Sequence, residues 1–210
     1  MTARLELEVP GAAVDHAAGG ALDQAFFDRP PRRVAAELVG CTLLHRGVGG
    51  VIVETEAYEH DDPACHAFGG PTARNAPLFG PPGRAYVYLC YGIHSIFNLV
   101  AEPEGTAAAV LIRALAPTRG VAAMRERRGL GDERGLCSGP GKLCQALGIE
   151  LSQSGADALA HPFELLAPEL DGGHEVVAGP RIGLSRAADY PWRYCLAGSP
   201  FLSRPAGRPG

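Results

Sequence analysis

The chain has 210 residues, 46% hydrophobic and 20% charged, a balance that excludes wholesale disorder and fits one domain with short tails. No apolar run approaches the roughly 20 residues needed to span a bilayer, and the N-terminus lacks a cationic start followed by an apolar stretch, so a cytoplasmic protein without membrane contact is expected. The formal net charge of −4 argues against a nucleic-acid partner only until its distribution is read: residues 1–62 carry 5 basic and 11 acidic groups, whereas 113–142 carry 7 basic against 3 acidic, and a phosphate backbone meets the local potential.

Residues 1–22 are rich in Ala and Gly and are read as a loosely ordered tail. Pro30 and Pro31 lead into a short helix from Arg32 to Val39, with Val34, Ala35 and Leu38 inward and Gly40 as its stop. Cys41 to His45 reads as a strand, Gly47, Gly49 and Gly50 as a turn, and Val51 to Tyr58 as the antiparallel partner. Residues 59–83 are a long loop dense in Pro, Gly, Asp and Asn, and loops of that length in compact domains are usually functional or disordered. Arg84 to Cys90 is a strand, Tyr91-Gly92 a tight break and Ile93 to Val100 the returning strand.

Ala107 to Leu115 is an apolar strand of central character, interrupted only by Arg113. Thr118 is placed to cap a helix running to Arg128, and Ser138-Gly-Pro-Gly-Lys142 to start another that ends near Gly148. Residues 150–180 are turn-rich with weak strands, and Arg181 to Leu184 and Trp192 to Ala197 are late strands. The fold class is therefore α+β: a single mixed domain over 23–204, built around a curved, mainly antiparallel β-sheet with flanking helices and followed by a tail at 205–210.

Chemistry concentrates in a few places. In Val51-Ile-Val-Glu-Thr-Glu-Ala-Tyr58, Glu54 and Glu56 stand two apart, so a strand puts both carboxylates on one face. A face turned to a cleft raises the pKa of at least one acid; a solvent-facing edge leaves two harmless ones. Arg113, inside an apolar strand, needs a carboxylate partner: either it closes a structural ion pair or it orients Glu56.

Tyr91, beside Gly92 at a predicted hairpin tip, has no core to fill and suits insertion into a base stack or a protein interface. Asn98 offers both a donor and an acceptor to a base edge, or is a satisfied core amide. His66 and Arg74 lie in the long loop, Arg125 and Arg128 on a basic helix, and Ser138 with Lys142 at a helix start that suits a phosphate. The six cysteines form no C-x-x-C pair, and Glu54, Glu56, His60, Asp61, Asp62 and His66 lack a recognisable metal spacing, so no metal is assigned. No P-loop, G-x-S-x-G, H-E-x-x-H or dinucleotide fingerprint is present.

Several blocks, in order from Phe26 to Ser203, resemble the alkyladenine (3-methyladenine) DNA glycosylase family of the methylpurine type. They are Val53-Glu-Thr-Glu-Ala-Tyr58, Asp62-Pro-Ala-Cys-His66, Arg74-Asn75, Pro82-Gly-Arg-Ala-Tyr-Val-Tyr-Leu-Cys-Tyr-Gly92 with Asn98, Val110-Leu-Ile-Arg-Ala-Leu115, Leu136 to Leu147, and Pro191-Trp-Arg193 with Gly198-Ser-Pro200. The resemblance implies a mixed single domain around an antiparallel sheet, no cofactor and no metal.

It also implies site roles. Glu56 is the general base that activates water, and Arg113 helps to hold it. Tyr58, His66 and Tyr88 wall the pocket for an extruded base, Asn98 disfavours guanine and Tyr91 is the wedge. The family's pattern differs in one stretch: the Tyr58 to His66 interval is one residue shorter here, and Glu59-His60 stands where glycine is frequent. The expected activity is monofunctional removal of alkylated or deaminated purines from double-stranded DNA in base excision repair, without an obligate protein partner and, in a bacterium, at the nucleoid. The rival is a non-catalytic nucleic-acid-binding domain on the same scaffold.

Overall fold

The computed structural model describes residues 18–169 and 174–206. A four-residue helix α1 (Gln24–Phe27) is capped by the Asp23 carboxylate, which accepts from the Phe26 N–H, and buries Phe26 and Phe27. Helix α2 (Pro31–Leu38) has Pro31 in its first turn, where no N–H is needed, and turns Val34, Ala35 and Leu38 inward. Strands β1 (Thr42–His45), β2 (Val48–Tyr58), β3 (Ala85–Cys90), β4 (His94–Ala101) and β5 (Ala108–Arg119) follow, then helices α3 (Val121–Arg128) and α4 (Pro140–Leu147), and strands β6 (Phe163–Leu166), β7 (Val176–Gly179) and β8 (Arg193–Leu196).

All pairings are antiparallel, and the main order is β3-β4-β5-β2-β1-β6. Strand β2 is long enough to serve two neighbours along one edge: Val48–Val51 pairs with β1 and Glu54–Glu56 with β8, which carries β7. One domain with a curled antiparallel sheet and flanking helices results. Among the described residues no helix is long and apolar enough to cross a membrane.

The sheet separates two apolar regions. The larger one packs α2, α4 and the second half of α1 against one face, with Val87, Phe97, Leu99, Val110 and Ile112 contributed by β3 to β5. The smaller one lies on the other face, where Tyr86, Val100 and Ala109 meet Cys65, Ala67 and Leu78 of the long loop. Alternation along β3, β4 and β5 sorts residues to these two faces as strand geometry requires.

Five local expectations are corrected. Gly49 and Gly50 belong to β2 rather than to a turn: a Cβ on them would lie 2.0 Å from the Leu43 carbonyl and 1.9 Å from that of Ala116, so glycine is what lets β1 and β5 close on β2. The tight turn is Arg46-Gly47 alone. Thr118 is not a helix cap, because β5 runs on to Arg119, which pairs with Gly49, and Gly120 at φ 69° starts α3 instead. Ser138 is not helical either; it bridges to Ala114, and α4 begins at Pro140. Arg181 to Leu184 is a loop, since its polar groups go to β2 rather than to a ladder.

The fifth correction concerns the N-terminal tail. Residues 1–17 lie outside the described residues, but Ala21 bridges to Leu166 and Leu22 is buried in the main core. At the other end, residues 207–210 lie outside the described residues, and the Pro205 carbonyl accepts from Arg193.

Candidate active site

The site is created by a change of parity in β2. Val48 and Ile52 face the helix-side core, yet so does Ala57, and the Thr55 hydroxyl donates to the Ala35 carbonyl of α2. Even and odd positions exchange faces because the pairing with β5 slips between Ile52 and Glu54 and slips back between Glu54 and Thr55, leaving Val53 and Arg113 as the extra residues. Such bulges re-aim side chains. Here they turn Glu54, Glu56 and Tyr58 out of the helix-side core and set Arg113 between the two carboxylates.

The two acids then have different fates. Glu54 is fully enclosed: Oε1 accepts from Arg113 Nε (3.0 Å), Arg193 Nε (2.7 Å) and the Ser203 hydroxyl (2.7 Å), and Oε2 from the Ser203 N–H (2.6 Å). Glu56 is also 0% exposed but has a lighter set of partners. Oε1 accepts from the Ile182 N–H (2.7 Å), Oε2 accepts from the Tyr58 hydroxyl (2.8 Å), and Arg113 Nη1 lies 3.3 Å from Oε2. Burial pushes the Glu56 carboxyl above the usual carboxylate range, against the pull of Arg113, the Ile182 N–H and the Tyr58 hydroxyl. Among the described residues the carboxylate thus accepts one hydrogen bond on each oxygen, and Arg113 adds positive charge beside Oε2.

Tyr58 stands between Glu56 and a small cleft of about 80 Å³, open to solvent and lined by Tyr58, Cys65, His66, Tyr86, Tyr88 and Asn98 with smaller apolar residues. The His66 and Tyr88 ring centroids are 4.4 Å apart at 66°, and His66 Nδ1 is 3.0 Å from the Tyr86 hydroxyl. Burial, helped by Arg74, lowers the His66 pKa, and burial raises those of Tyr58, Tyr86 and Tyr88, that of Tyr86 to about 12. The walls are therefore neutral rings at physiological pH. The Asn98 amide donates to the Tyr86 carbonyl (3.1 Å), which fixes its rotamer in the cleft.

Despite its shorter interval from Tyr58, His66 reaches the cleft because two buried polar residues brace the loop. Asn75 donates to the carbonyls of His66 and Gly70, both at 3.0 Å, and Asp62 accepts the Ala64 N–H at 2.9 Å. Among the described residues no three His, Cys, Asp or Glu side chains converge as a metal site.

Beyond the cleft, β3 and β4 meet in a hairpin whose tip holds Tyr91, 92% exposed, with Ile93 beside it at 73%. Tyr91 at φ 51° and Gly92 at φ 74° both have positive φ, and the Ile93 N–H donates to the Cys90 carbonyl (3.2 Å). These are features of the type I′ turn that hairpins favour, and the tyrosine holds a conformation that a bulky residue adopts at a cost.

Of the basic residues singled out, Arg74 lies at the cleft, 5.9 Å from the Tyr88 ring centroid, and donates to the Leu89 carbonyl. Ser138 and Lys142 flank the start of α4, where Gly141 abuts His94 at the base of the exposed hairpin. Arg125 and Arg128 are not at the cleft; Arg125 pairs with Glu133, and Arg128 donates to the Gln145 side chain and the Gly135 carbonyl.

Two kinds of participant escape a reading of the sequence. Tyr86 lines the cleft, although a strand tyrosine reads equally well as sheet packing. Arg181, Ile182, Arg193 and Ser203 reach β2 from more than 120 positions away, and no local pattern signals that. Pro191-Trp-Arg193 was the one hint, through the resemblance.

Comparison with known proteins identifies the family. Residues 25–200 match the model of the methylpurine-DNA glycosylase family. A protein of Rhodopseudomonas palustris strain HaA2 is 57% identical over 205 residues, 98% of each chain. One of Nitrosospira multiformis is 60% identical over 176 residues, 84% of this chain and 90% of its own. One of Nitrobacter winogradskyi is 57% identical over 187 residues, 89% of each. All three are provisionally named 3-methyladenine DNA glycosylases. With a family match across most of its length and relatives of this identity, the chain belongs to the methylpurine-DNA glycosylase family.

Proposed function

We propose that this DNA glycosylase extrudes alkylated or deaminated purines from duplex DNA and hydrolyses their N-glycosidic bond with water activated by Glu56, leaving an abasic site and an uncut strand. The observation that carries this reading is a buried carboxylate, Glu56, bonded to the hydroxyl of a tyrosine that lines a cleft walled by aromatic rings.

A base inside a duplex is out of reach and has to be flipped, at a cost of a few kcal/mol. Tyr91 fills the gap left behind, and the rings of Tyr58, His66 and Tyr88 offset the cost, since stacking is worth about 1–3 kcal/mol per base. Alkylation at N3 or N7 puts positive charge on the purine. Neutral rings attract that cation, whereas an imidazolium at His66 would repel it, so the lowered His66 pKa suits the substrate. The charged purine is also a better leaving group. As the glycosidic C1′–N bond breaks, its electron pair leaves with the alkylated purine and cancels that ring's positive charge; the Glu56 anion stabilises the oxocarbenium-like C1′, and the water that attacks C1′ gives its proton to the carboxylate. Asn98 reads the purine edge. The one lysine, Lys142, lies at α4 rather than in the cleft, and the proposed reaction uses water rather than an amine, which leaves the strand uncut. The partner is damaged duplex DNA, with Arg74, Ser138 and Lys142 toward the backbone.

The deciding experiment is base release from methylated duplex DNA. Free 3-methyladenine with an abasic, intact strand is expected; tight binding without release would leave a DNA-binding domain instead. The rate should depend on pH in a defined direction. Because Glu56 must be ionised and burial raises its pKa, single-turnover release should fall as pH drops, with its midpoint above the usual carboxylate range. A midpoint at or below that range would remove Glu56 as the base.

Tyr91→Gly separates the wedge from the fold. Relief of the positive φ should stabilise the protein by about 1 kcal/mol, read as a higher Tm, while affinity for damaged duplex falls. Unchanged affinity would exclude Tyr91 as the wedge.

A further inference from the structure

We infer that Arg181, locked by Asp62, is a positioning residue for base release: its side chain fixes the Glu56–Tyr58 stretch of β2, and its own peptide carries the Ile182 N–H onto Glu56. The inference rests on the glycosylase reading and extends it to a residue outside the cleft.

The guanidinium ties three separate segments together. Its Nη1 and Nη2 grip the two Asp62 oxygens, with Nη2 3.0 Å from Oδ1. Nη1 also donates to the Ala57 carbonyl (2.9 Å), between Glu56 and Tyr58, and Nη2 donates to the Ala187 carbonyl (3.4 Å). Its Cζ lies over the Tyr58 ring, 4.6 Å from the centroid, and over that of Trp192 at 5.1 Å, and among the described residues Nε has no hydrogen-bond partner. Both side chains of the pair are 0% exposed. Burying two charges is expensive even when they are paired, and apolar residues often serve stability as well. What an apolar pair would lack is the directional link from the pocket loop to strand and turn.

Each link ends on a part of the site. Asp62 accepts the Ala64 N–H (2.9 Å) and, through its carbonyl, the Cys65 N–H (2.8 Å), which sets the turn that delivers His66. Arg181 backs the Tyr58 ring. One residue on, the Ile182 N–H meets Glu56 Oε1 at 2.7 Å, and Leu184 lines the cleft. Lysine cannot replace this set, because a single ammonium neither grips a carboxylate bidentately nor stacks as a plane.

The titratable and charged groups that face Glu56 are Glu54 and Tyr58 on its own strand, Arg113 on β5, Tyr88 on β3, Arg193 and Cys195 on β8, and Arg181 itself. Loss of the Ile182 N–H would remove a donor to the ionised form and raise the Glu56 pKa further.

Arg181→Lys, folded as judged by its melting curve, should release base on the order of 10²-fold more slowly, the effect of about 1 Å of misplacement. Its acid limb should move up by about one pH unit, as expected when a hydrogen bond to a charged group is lost, while affinity for undamaged duplex stays unchanged. A merely structural ion pair would lower Tm without moving the limb. Replacement of the Ile182 amide by an ester, which deletes this N–H and keeps every side chain, should move the limb in the same direction and decides the case if Arg181→Lys does not fold. A limb at the wild-type pH in the ester, or a wild-type rate in folded Arg181→Lys, overturns the inference. Failure of the underlying reading looks different: wild-type protein then releases no base, or Glu56→Gln releases it normally.

Discussion

Glu56→Gln is expected to lower single-turnover base release by about 10³-fold or more, within the range that a positioned general base contributes, while binding to damaged duplex is retained. The amide oxygen can stay on the Ile182 N–H, and the amide nitrogen can face Tyr58, whose hydroxyl rotates from donor to acceptor. That nitrogen also meets Arg113 Nη1, which lies 3.3 Å from Oε2, but Arg113 keeps its bond to Glu54. What disappears is the proton acceptor and the negative charge beside the developing sugar cation. Quenched-flow release from methylated duplex measures the rate, and gel shift measures the binding. A variant that releases base at a rate near wild type would dismiss Glu56 from the chemistry.

Glu54→Gln, two residues away on the same face of the same strand, should do the opposite. Glu54 is the acceptor on which Arg113, Arg193 and both donors of Ser203 converge. An amide would present N–H groups to at least one of those donors and leave two buried arginines short of a charge. Removing one partner of a buried ionic cluster costs about 3–5 kcal/mol, a large share of the roughly 5–15 kcal/mol that holds a domain together. The expected result is a marked fall in the denaturant midpoint and in Tm. The C-terminal segment should loosen first, because Arg193 also holds the carbonyls of Arg204 and Pro205. The folded fraction should keep its activity to within about tenfold, since Glu56 gains rather than loses a share of Arg113. If stability is unaffected, the cluster is not what anchors β8 and the C-terminal segment; if activity is lost at full stability, the assignment of roles to the two acids is reversed.

The contrast between these acids also marks where reading the chain stops. Strand alternation, turn residues and apolar runs are local, and they placed the β3–β4 hairpin, Tyr91 at its tip, the central strand carrying Arg113 and the helix over α2. Tyr86 and Tyr88 fall on one face for the same reason, and Arg113 inside an apolar run announced a carboxylate partner before any contact was known. The long loop was recognisable as a loop, but not how Asn75 and Asp62 brace it. The glycines at 49 and 50 were misread because glycine marks both a turn and a close approach of backbones, and only the neighbouring strands distinguish the two.

By itself, then, the sequence determined the class of fold, the exposed tyrosine at the hairpin tip and the short list of acids and rings from which a site could be built. Only the tertiary structure decided how each acid is partnered. The paired bulges at Val53 and Arg113 exchange the faces of β2 in mid-strand, an event that depends on the partner strand and leaves no periodic trace. Glu54 is enclosed by donors because Arg193 and Ser203 arrive from 139 and 149 positions away, whereas Glu56 Oε1 accepts, among the described residues, from the Ile182 N–H alone. Two identical side chains at equal spacing are separated by long-range contacts alone, and such contacts are a property of the folded chain.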